Sequence, residues 1–441
     1  MKVKNILIIG MISALMLTGC SNNGYGNKKE EDISKVNTKT ISTEDLKNNL
    51  EKEDWIIVDT RSNDAYNGWA EDGVKRGGHI KGATDFSSDW LNAKVDDKEK
   101  KLEKVLEEKE ISKDKNIVLY DSNEKDSKEV AAYLSKKGYK NLYTYDVEEY
   151  ANDESLPMES YENYEMIVPA WWINDVIKEK KTNYKIFEVS WGEESKDYKK
   201  GHIPGAVHMN TDDFEEPPIW NRKSDKELEK FAKDYGITKD TQVILYGADQ
   251  TAAYRVAAIL KYMGVEDIRV LNGGYQKWVD AGFEVETKKN DKNPVEYFGS
   301  NIPVNKDYII DMEEAKKVLE EKDNSILVDV RSHDEYIGKT PGYSDIDIAG
   351  RIPGAKWGQD IGDYRNIDNT MKNKNDIFKM WEEYGITSDK NLSFYCGTGW
   401  RVAEVLWYSN VIGLENVSLF DGGWYEWIDD SSNKIDTGEI K

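Results

Sequence analysis

The chain has 441 residues, a formal net charge of −23 at neutral pH and two cysteines. The length suggests about three ordinary domains, and an acidic excess of this size argues against nucleic acid or an anionic membrane surface as a partner, since both would repel it. Two cysteines exclude a disulfide framework and a cysteine-based metal site, and no spacing of the four histidines resembles a metal triad.

The N-terminal segment has the order of features of an export signal. Lys2 and Lys4 precede an apolar run over residues 6–17, which is too short to span a bilayer as a helix. The run ends in Leu-Thr-Gly-Cys at 17–20, which resembles the lipobox of bacterial lipoproteins; an ordinary signal peptide with a chance cysteine is the alternative. We predict a signal peptide over 1–20, lipid on Cys20 and a polar tether over 21–37. The mature protein would then be anchored by its lipid to the bacterial membrane, outside the cytoplasm.

One order of features occurs three times along the rest of the chain. Each copy has a short apolar strand ending in an acid, a Gly-x-Ile turn, a second strand ending in Tyr, and a helix-like stretch. The first strands end at Asp59, Glu188 and Asp329, the turns occupy 78–83, 201–206 and 350–355, and the second strands end at Tyr120, Tyr246 and Tyr395. Short continuous apolar strands that alternate with helices are typical of parallel sheets covered on both faces.

The spacing of the strand-end acids gives the domain count. Asp59 to Glu188 is 129 residues and Glu188 to Asp329 is 141, which is too long for a solenoid repeat and right for a domain. Polar, charged segments near 152–163 and 287–301 are the predicted linkers. We therefore predict three tandem α/β domains, each a parallel β-sheet flanked by α-helices, over 38–152, 165–287 and 302–431.

The chemistry is predicted to lie in the third copy. Cys396 directly follows the strand that ends at Tyr395, and it opens a six-residue loop, Cys-Gly-Thr-Gly-Trp-Arg, that leads into a helix. Gly397 and Gly399 let the backbone curl, so that its N–H groups and the positive end of the helix dipole can stabilise a thiolate. Arg401 adds a permanent positive charge. An unreactive buried cysteine is the alternative, but it would not explain the two glycines and the arginine.

These residues resemble the rhodanese family of sulfurtransferases, and the resemblance covers nearly the whole mature chain. Its motifs are the strand end Asp329-Val330-Arg331, the Gly-x-Ile-Pro-Gly-Ala turn, the loop 396–401, and Asp421-Gly422-Gly423-Trp424 followed by Trp427. The segment from Tyr336 to Pro353 looks like the insertion of the catalytic domain in thiosulfate and mercaptopyruvate sulfurtransferases. The arrangement of three domains looks most like that of a three-domain bacterial thiosulfate sulfurtransferase subgroup.

The resemblance implies that Cys396 takes sulfur from a donor and holds it as a persulfide. The implied catalytic residues are Cys396 and Arg401, and the implied binding residues are Gly397, Thr398, Gly399, Trp400 and Arg331. The implied reaction moves sulfane sulfur from thiosulfate or 3-mercaptopyruvate to a thiol or cyanide, with neither metal nor organic cofactor. A surface-anchored persulfide carrier or binding module with little turnover of small donors is the alternative.

Two departures from the family pattern leave the donor open. Where catalytic domains of the two-domain enzymes often carry an arginine, this chain has Glu335, so another arginine, Arg351 or Arg365, must bind the donor anion, or none does. The loop matches neither the basic thiosulfate version nor the usual mercaptopyruvate version. Cysteine-dependent phosphatases use a related loop with five residues between Cys and Arg; the four residues found here favour sulfur transfer.

The first two copies lack the nucleophile. Aligned on the strand-end tyrosines, Asp121 and Gly247 stand at the position of Cys396. Without a thiol, neither domain can form a persulfide. We expect these domains to act as scaffold and interface, with the shaping of the substrate cleft or the docking of a partner as the alternative.

Overall fold

The described part of the chain in this computed structural model is residues 36–439 apart from 182, 194, 322, 323 and 345. Cys20, the predicted signal peptide and the tether up to residue 35 lie outside it. From Val36 onward the chain forms one compact unit. None of the helices in the described ranges is both long and apolar enough to cross a membrane.

Most strands belong to three sheets, one in each predicted domain. In chain order the strands are β1 (Lys39–Thr40), β2 (Trp55–Asp59), β3 (His79–Ile80), β4 (Thr84–Asp85), β5 (Asn116–Asp121), β6 (Leu142–Asp146), β7 (Met158–Glu159), β8 (Ile167–Val168), β9 (Tyr184–Ser190), β10 (Val207–Asn210), β11 (Glu215–Glu216), β12 (Asn221–Arg222), β13 (Gln242–Tyr246), β14 (Asp267–Leu271), β15 (Ile309–Ile310), β16 (Ser325–Asp329), β17 (Lys356–Trp357), β18 (Asn391–Tyr395) and β19 (Val417–Phe420).

Helices cover the faces of these sheets. In chain order they are α1 (Thr43–Asn49), α2 (Asn63–Asn67), α3 (Asp89–Asn92), α4 (Lys98–Glu108), α5 (Asp126–Lys136), α6 (Val147–Asn152), α7 (Ala170–Lys178), α8 (Lys196–Lys200), α9 (Asp225–Asp234), α10 (Gln250–Met263), α11 (Gly274–Asp280), α12 (Met312–Glu320), α13 (His333–Tyr336), α14 (Lys374–Glu382), α15 (Trp400–Val411) and α16 (Gly423–Asp429). Short 3-10 helices lie at Tyr164–Met166, Thr211–Asp213, Lys306–Tyr308 and Ile361–Tyr364.

The three sheets share one topology. Their strand orders are β1-β6-β5-β2-β4, β8-β14-β13-β9-β10 and β15-β19-β18-β16-β17, and every pair within them is parallel. The predicted fold class is therefore confirmed. In each sheet, the chain that leaves one of the two adjacent central strands goes to one edge of the sheet, and the chain that leaves the other goes to the opposite side. In the third domain these two strands are β16 and β18. Ligands of open α/β sheets bind beyond the carboxyl ends of strands at such a point, and Cys396 directly follows β18.

The repeated acid, turn and tyrosine form one hydrogen-bonded unit. In the third domain Tyr395 pairs with Asp329 on the neighbouring strand, and its hydroxyl donates to Asp329 Oδ2 at 2.6 Å and accepts from the Ile352 N–H at 3.4 Å. The corresponding tyrosines of the other two domains, Tyr120 and Tyr246, accept from Ile80 and Ile203. The three motifs recur together in the sequence because they fix two strands and a turn in one register.

The second and third domains meet through two buried helices. Helix α10 packs along α15, and every residue of α10 except Lys261 is buried. The hydroxyls of Tyr254 and Tyr408 lie 3.3 Å apart across the contact, and Gln250 Nε2 donates to Glu404 Oε1 at 2.8 Å. A helix that is buried on all sides needs neighbours on all sides, and α15 of the third domain covers one side of α10. One hydrophobic cluster accordingly runs through both domains.

A polar cluster joins all three domains. The Asn272 amide of the second domain donates to Asn63 Oδ1 and Asp64 Oδ1 of the first, at 2.9 and 2.7 Å, and Asn272 Oδ1 accepts from the Met371 N–H of the third at 3.0 Å. Asp64 is buried, and this burial together with the charge of Glu71 raises its pKa to about 7. Between about pH 4 and pH 7, Asp64 therefore keeps its proton in the folded protein and loses it in the unfolded chain.

We predict that Asp64→Asn stabilises the protein above neutral pH. Because the pKa of Asp64 is higher in the folded state than its ordinary value of 3.8, stability falls as the pH rises from about 4 to about 7. Asparagine keeps an oxygen for Asn272 and carries no charge to bury, so it removes that loss, on the order of 1–3 kcal/mol at pH 8. Urea unfolding at pH 5 and pH 8 measures the effect.

Asp307→Asn is the matched control for this prediction, because Asp307 is exposed. Asp307→Asn should leave the difference between the free energies of unfolding at pH 5 and pH 8 unchanged. The assignment would be contradicted if Asp64→Asn lowered the free energy of unfolding, relative to the unmodified protein, as much at pH 8 as at pH 5.

Candidate active site

The loop that carries Cys396 is fixed by the segment that follows β19. Cys396 is fully buried, its carbonyl accepts from the Trp424 N–H at 2.8 Å, and the Gly397 carbonyl accepts from the Tyr425 N–H at 3.1 Å. Gly423 has a φ of 53°, and a Cβ at this position would lie 2.4 Å from the Cys396 carbonyl oxygen. The Gly-Gly-Trp motif is needed because two backbone segments approach each other closely there.

Tyr343 and Arg401 lie beside Cys396. The Tyr343 ring covers Gly397, where a Cβ would lie 2.2 Å from a ring carbon, and its hydroxyl accepts from Arg401 Nη2 at 3.1 Å. Burial raises the pKa of Tyr343, and the negative charge of the Cys396 sulfur raises it further. The phenol therefore stays protonated beside the sulfur and remains able to donate a hydrogen bond.

Glu335 holds Arg401 in place. Arg401 Nη1 and Nη2 donate to the two carboxylate oxygens of Glu335, at 2.8 and 2.9 Å, in a two-pronged ion pair. Burial of Glu335 opposes its ionisation, yet the hydrogen bonds and charge of Arg401 hold its pKa below the ordinary value. The positive charge that the sequence predicts at Arg401 is thus largely compensated. Glu335, which stands where related catalytic domains often carry an arginine, orients Arg401.

The other arginines predicted to bind the donor or the persulfide lie elsewhere. Arg351 is buried and donates to the carbonyls of Tyr336 and Gly438, and Arg365 is paired through Nε and Nη2 with Glu404. Both candidates for the donor-binding arginine are therefore already bound to groups of the protein, and their role toward a donor stays a prediction. Arg331 is fully buried, pairs with Asp329 and donates to the Gly350 carbonyl, so it supports the strand end and is not exposed to substrate.

An arginine from the second domain reaches the loop. The Arg255 guanidinium lies so close to Gly399 that a Cβ there would be 2.7 Å from Nη1. Arg255 is fully buried, its Nη2 lies 2.7 Å from Asp421 Oδ1, and its Nε donates to Glu215 Oε2 at 3.3 Å. Gly399 precedes α15 with a left-handed φ of 91°, so glycine is required here both by conformation and by the approach of Arg255.

Arg255 could have been found from the repeats. When the helical valines Val256 and Val402 are aligned, Arg255 stands at the position of Arg401. The second domain has lost the cysteine and kept the arginine, which now faces the loop of the third domain. Tyr343 lies in the segment 336–353 that resembles the catalytic-domain insertion, but no motif singles it out. Nothing in the sequence links Glu215 to Cys396, because it reaches the site through chain folding over a long distance.

A cavity of about 280 Å³ lies against the loop, between the second and third domains. Its lining residues are Trp191, Thr211, Glu215, Trp220, Tyr343, Thr398, Trp400 and Tyr425. Half of them come from the second domain, so this domain forms one wall of the cavity. The packing of α10 on α15 fits the predicted interface role, and the lining of the cavity favours the alternative that the second domain also shapes a cleft.

Glu215 is the carboxylate of this cavity. Its Oε1 accepts from Trp400 Nε1 at 2.8 Å, and the side chain is buried. Burial raises its pKa to about 7, and the charge of Asp421 adds to the shift against the opposing effects of Arg255 and Trp400. Among the described residues there is no group of three or more His, Cys, Asp or Glu side chains that could hold a metal ion.

Comparison with known proteins gives one consistent family. The family model for a rhodanese-like domain matches residues 42–147, 172–281 and 311–430. The thiosulfate sulfurtransferase YnjE of Escherichia coli is 37% identical over 403 residues, which is 88% of this chain and 91% of that protein. The sulfur carrier protein TtuD of Thermus thermophilus is 35% identical over 289 residues, 60% of this chain and 95% of that protein.

Solved structures agree with this result. The anaerobic ergothioneine biosynthesis enzyme from Chlorobium limicola, in complex with its natural substrate trimethyl histidine, superimposes with a TM-score of 0.86. The two proteins are 37% identical, and the match covers 92% of this chain and 100% of that one. The shared fold thus extends over all three domains.

We predict that Gly399→Ala slows the uptake of sulfur by Cys396 at least about tenfold. An alanine there combines the cost of a left-handed conformation, roughly 1–2 kcal/mol, with a clash against the buried Arg255 guanidinium, so the loop must shift. The measurement is the rate at which the sulfur mass is added to the protein by a donor in excess.

Gly205→Ala is the control, since Gly205 has a φ of 83° and open space at its Cβ position. It should cost similar conformational free energy and leave the uptake rate unchanged. Equal rates for the two variants would show that Arg255 does not brace the loop.

Proposed function

Because the chain belongs to the rhodanese family and its relatives are sulfurtransferases, we propose that Cys396 takes sulfane sulfur from thiosulfate or 3-mercaptopyruvate and passes it to a thiophilic acceptor. The position of Cys396 carries the proposal. Its sulfur is buried beyond a central strand, in a loop that opens the long helix α15, and Tyr343 and Arg401 lie beside it.

The first half-reaction forms the persulfide. The Cys396 thiolate attacks the outer sulfur of the donor, a sulfur–sulfur bond forms, and the bond between that sulfur and the rest of the donor breaks. The electron pair of the broken bond leaves with sulfite, or with the enolate of pyruvate, which then takes up a proton. The loop N–H groups and the positive end of α15 stabilise the negative charge on the sulfur.

Tyr343 and Arg401 are the side chains that we expect to act on this charge. Tyr343 keeps its proton and can donate a hydrogen bond to the sulfur or to the leaving group once the donor is bound. Arg401 is held by Glu335 and in turn holds the Tyr343 hydroxyl, so the three side chains form one ordered array. We assign Arg401 to positioning Tyr343 as well as to supplying charge.

Charge distinguishes the two donors. Arg255 and Arg401, the arginines that contact the loop and Tyr343, are each already paired with a carboxylate. Thiosulfate brings two negative charges and 3-mercaptopyruvate brings one, so the desolvation of thiosulfate is less well compensated. We therefore expect 3-mercaptopyruvate to load Cys396 more efficiently.

The alternative of a persulfide carrier is supported by the relative that is named as one. A carrier must present its sulfur to another protein, whereas Cys396 is fully buried beside a cavity of about 280 Å³. This geometry favours a small-molecule acceptor. On the lipobox-like residues that end at Cys20, we further propose that the enzyme works outside the cytoplasm, held to the membrane by lipid.

We predict that either donor adds the mass of one sulfur atom to the full chain, and that Cys396→Ala abolishes the addition. Cyanide or a thiol should then remove the added mass. Intact-protein mass spectrometry before and after each step is the measurement, and the variant separates Cys396 from Cys20.

Loading rates at equal donor concentration complete this test. The expected order is 3-mercaptopyruvate faster than thiosulfate. If neither donor changes the mass of the folded protein, the proposed reaction fails for these donors and the carrier alternative gains support.

A further inference from the structure

The charges around the cavity leave one side of it uncompensated. Arg401 is neutralised by Glu335 through two hydrogen bonds, and Arg255 is shared between Glu215 and Asp421. Glu215 of the second domain and Asp421 of the third therefore share one guanidinium. Glu215 is the member of this group that lines the cavity, and no arginine or lysine is among the described lining residues.

The remaining walls are aromatic. Five of the eight lining residues carry aromatic rings, namely Trp191, Trp220, Tyr343, Trp400 and Tyr425. The face of an aromatic ring attracts a cation and repels an anion, and several rings together form the cages that bind quaternary ammonium groups. A carboxylate with such walls creates a negative potential in the cavity.

One buried hydroxyl of the cavity also lacks a partner within the protein. Thr211 Oγ1 is completely buried and has no hydrogen-bond partner among the described residues. Buried hydroxyls are normally hydrogen-bonded, so this group is available to a polar atom of a bound molecule. Thr211 and Glu215 both belong to the second domain, and Glu215 contacts Trp400 of the Cys396 loop.

We propose that this cavity is the acceptor subsite, that it favours an acceptor carrying a positively charged nitrogen, and that Glu215 is the residue that determines this specificity. The inference rests on the proposed function, because it concerns the second half-reaction. The domain that lost its cysteine would thus select the molecule to which the third domain gives its sulfur.

The transfer step conserves atoms and electrons. The ionised thiol of the acceptor attacks the outer sulfur of the Cys396 persulfide, and a new sulfur–sulfur bond forms. The bond between the outer sulfur and Cys396 Sγ breaks, and its electron pair returns to Sγ. The proton of the acceptor thiol has passed to solvent, and no oxidant or reductant is consumed. The positive nitrogen lies against Glu215 and the rings throughout.

The experiment uses three small thiols of different charge: thiocholine, 2-mercaptoethanol and 3-mercaptopropionate. Full-chain protein is first loaded with sulfur, and the loading is checked by mass. Each thiol is then added at pH 8, where Glu215, whose pKa is about 7, is mostly ionised, and the rate of sulfur loss is measured. Glu215→Gln and, as a control, Glu216→Gln at the adjacent exposed position are treated in the same way.

The readout is the rate for thiocholine divided by the rate for 3-mercaptopropionate. Intrinsic differences between the thiols cancel when this ratio is compared between proteins. We expect the ratio to fall at least about tenfold in Glu215→Gln, which is the size of one lost charge interaction of about 1.4 kcal/mol, and to be unchanged in Glu216→Gln. An unchanged ratio in Glu215→Gln would overturn the proposal.

A second measurement needs no variant and decides the matter if Glu215→Gln does not fold. Choline and its neutral carbon analogue 3,3-dimethylbutan-1-ol are compared as inhibitors of sulfur transfer to 2-mercaptoethanol by the unmodified protein. Stronger inhibition by choline supports the proposal, and equal inhibition overturns it. If no persulfide forms in the loading step, the proposed function itself fails, and this outcome is visible before any acceptor is added.

Discussion

A buried arginine, Arg255, ties the second domain to the loop that carries the nucleophile. Its guanidinium lies between Glu215 and Asp421 and against Gly399, with no exposure to solvent. Removing one partner of such a buried ion pair costs roughly 3–5 kcal/mol, because the remaining charges are left uncompensated. The loop, the cavity wall and the domain interface therefore depend on the same contact.

This contact gives the second domain, which has no cysteine, a place in the candidate site. The second domain supplies half of the cavity lining and the arginine behind the loop, and its helix α10 packs against α15 of the third domain as well as against its own sheet. The first domain acts further away, through the polar cluster at Asn272, which joins it to both of the others. The proposed chemistry is located in one loop, but the geometry of this loop is set by the whole assembly.

Local patterns in the sequence were sufficient to predict the fold. The strand-end acids, the Gly-x-Ile turns and the strand-end tyrosines recur at domain spacing. The tyrosine hydroxyl accepts from the turn in all three domains, and in the first and third it also donates to the acid. The loop around Cys396 was also predictable, since a strand end, two glycines and a helix start are adjacent in the chain. The residues next to Cys396 in the sequence are therefore also next to it in the fold.

The rest of the site could not be predicted in this way, because it depends on contacts between distant segments. Glu335 was interpreted as a missing arginine, whereas it fixes Arg401 by an ion pair between residues 66 positions apart. Glu215 meets Trp400 across a domain boundary. Arg351 and Arg365 have the right charge for a donor site, but their partners in the fold, the Gly438 carbonyl and Glu404, occupy them elsewhere.

The most direct test of this account is the rate of sulfur loading in Arg255→Gln, compared with Arg269→Gln at a surface position of the same domain. Both variants are first shown to be folded by circular dichroism. If the second domain holds the Cys396 loop in its working geometry through Arg255, loading slows by at least about tenfold in Arg255→Gln and is unchanged in Arg269→Gln. A folded Arg255→Gln protein that loads sulfur at the unmodified rate would contradict the account.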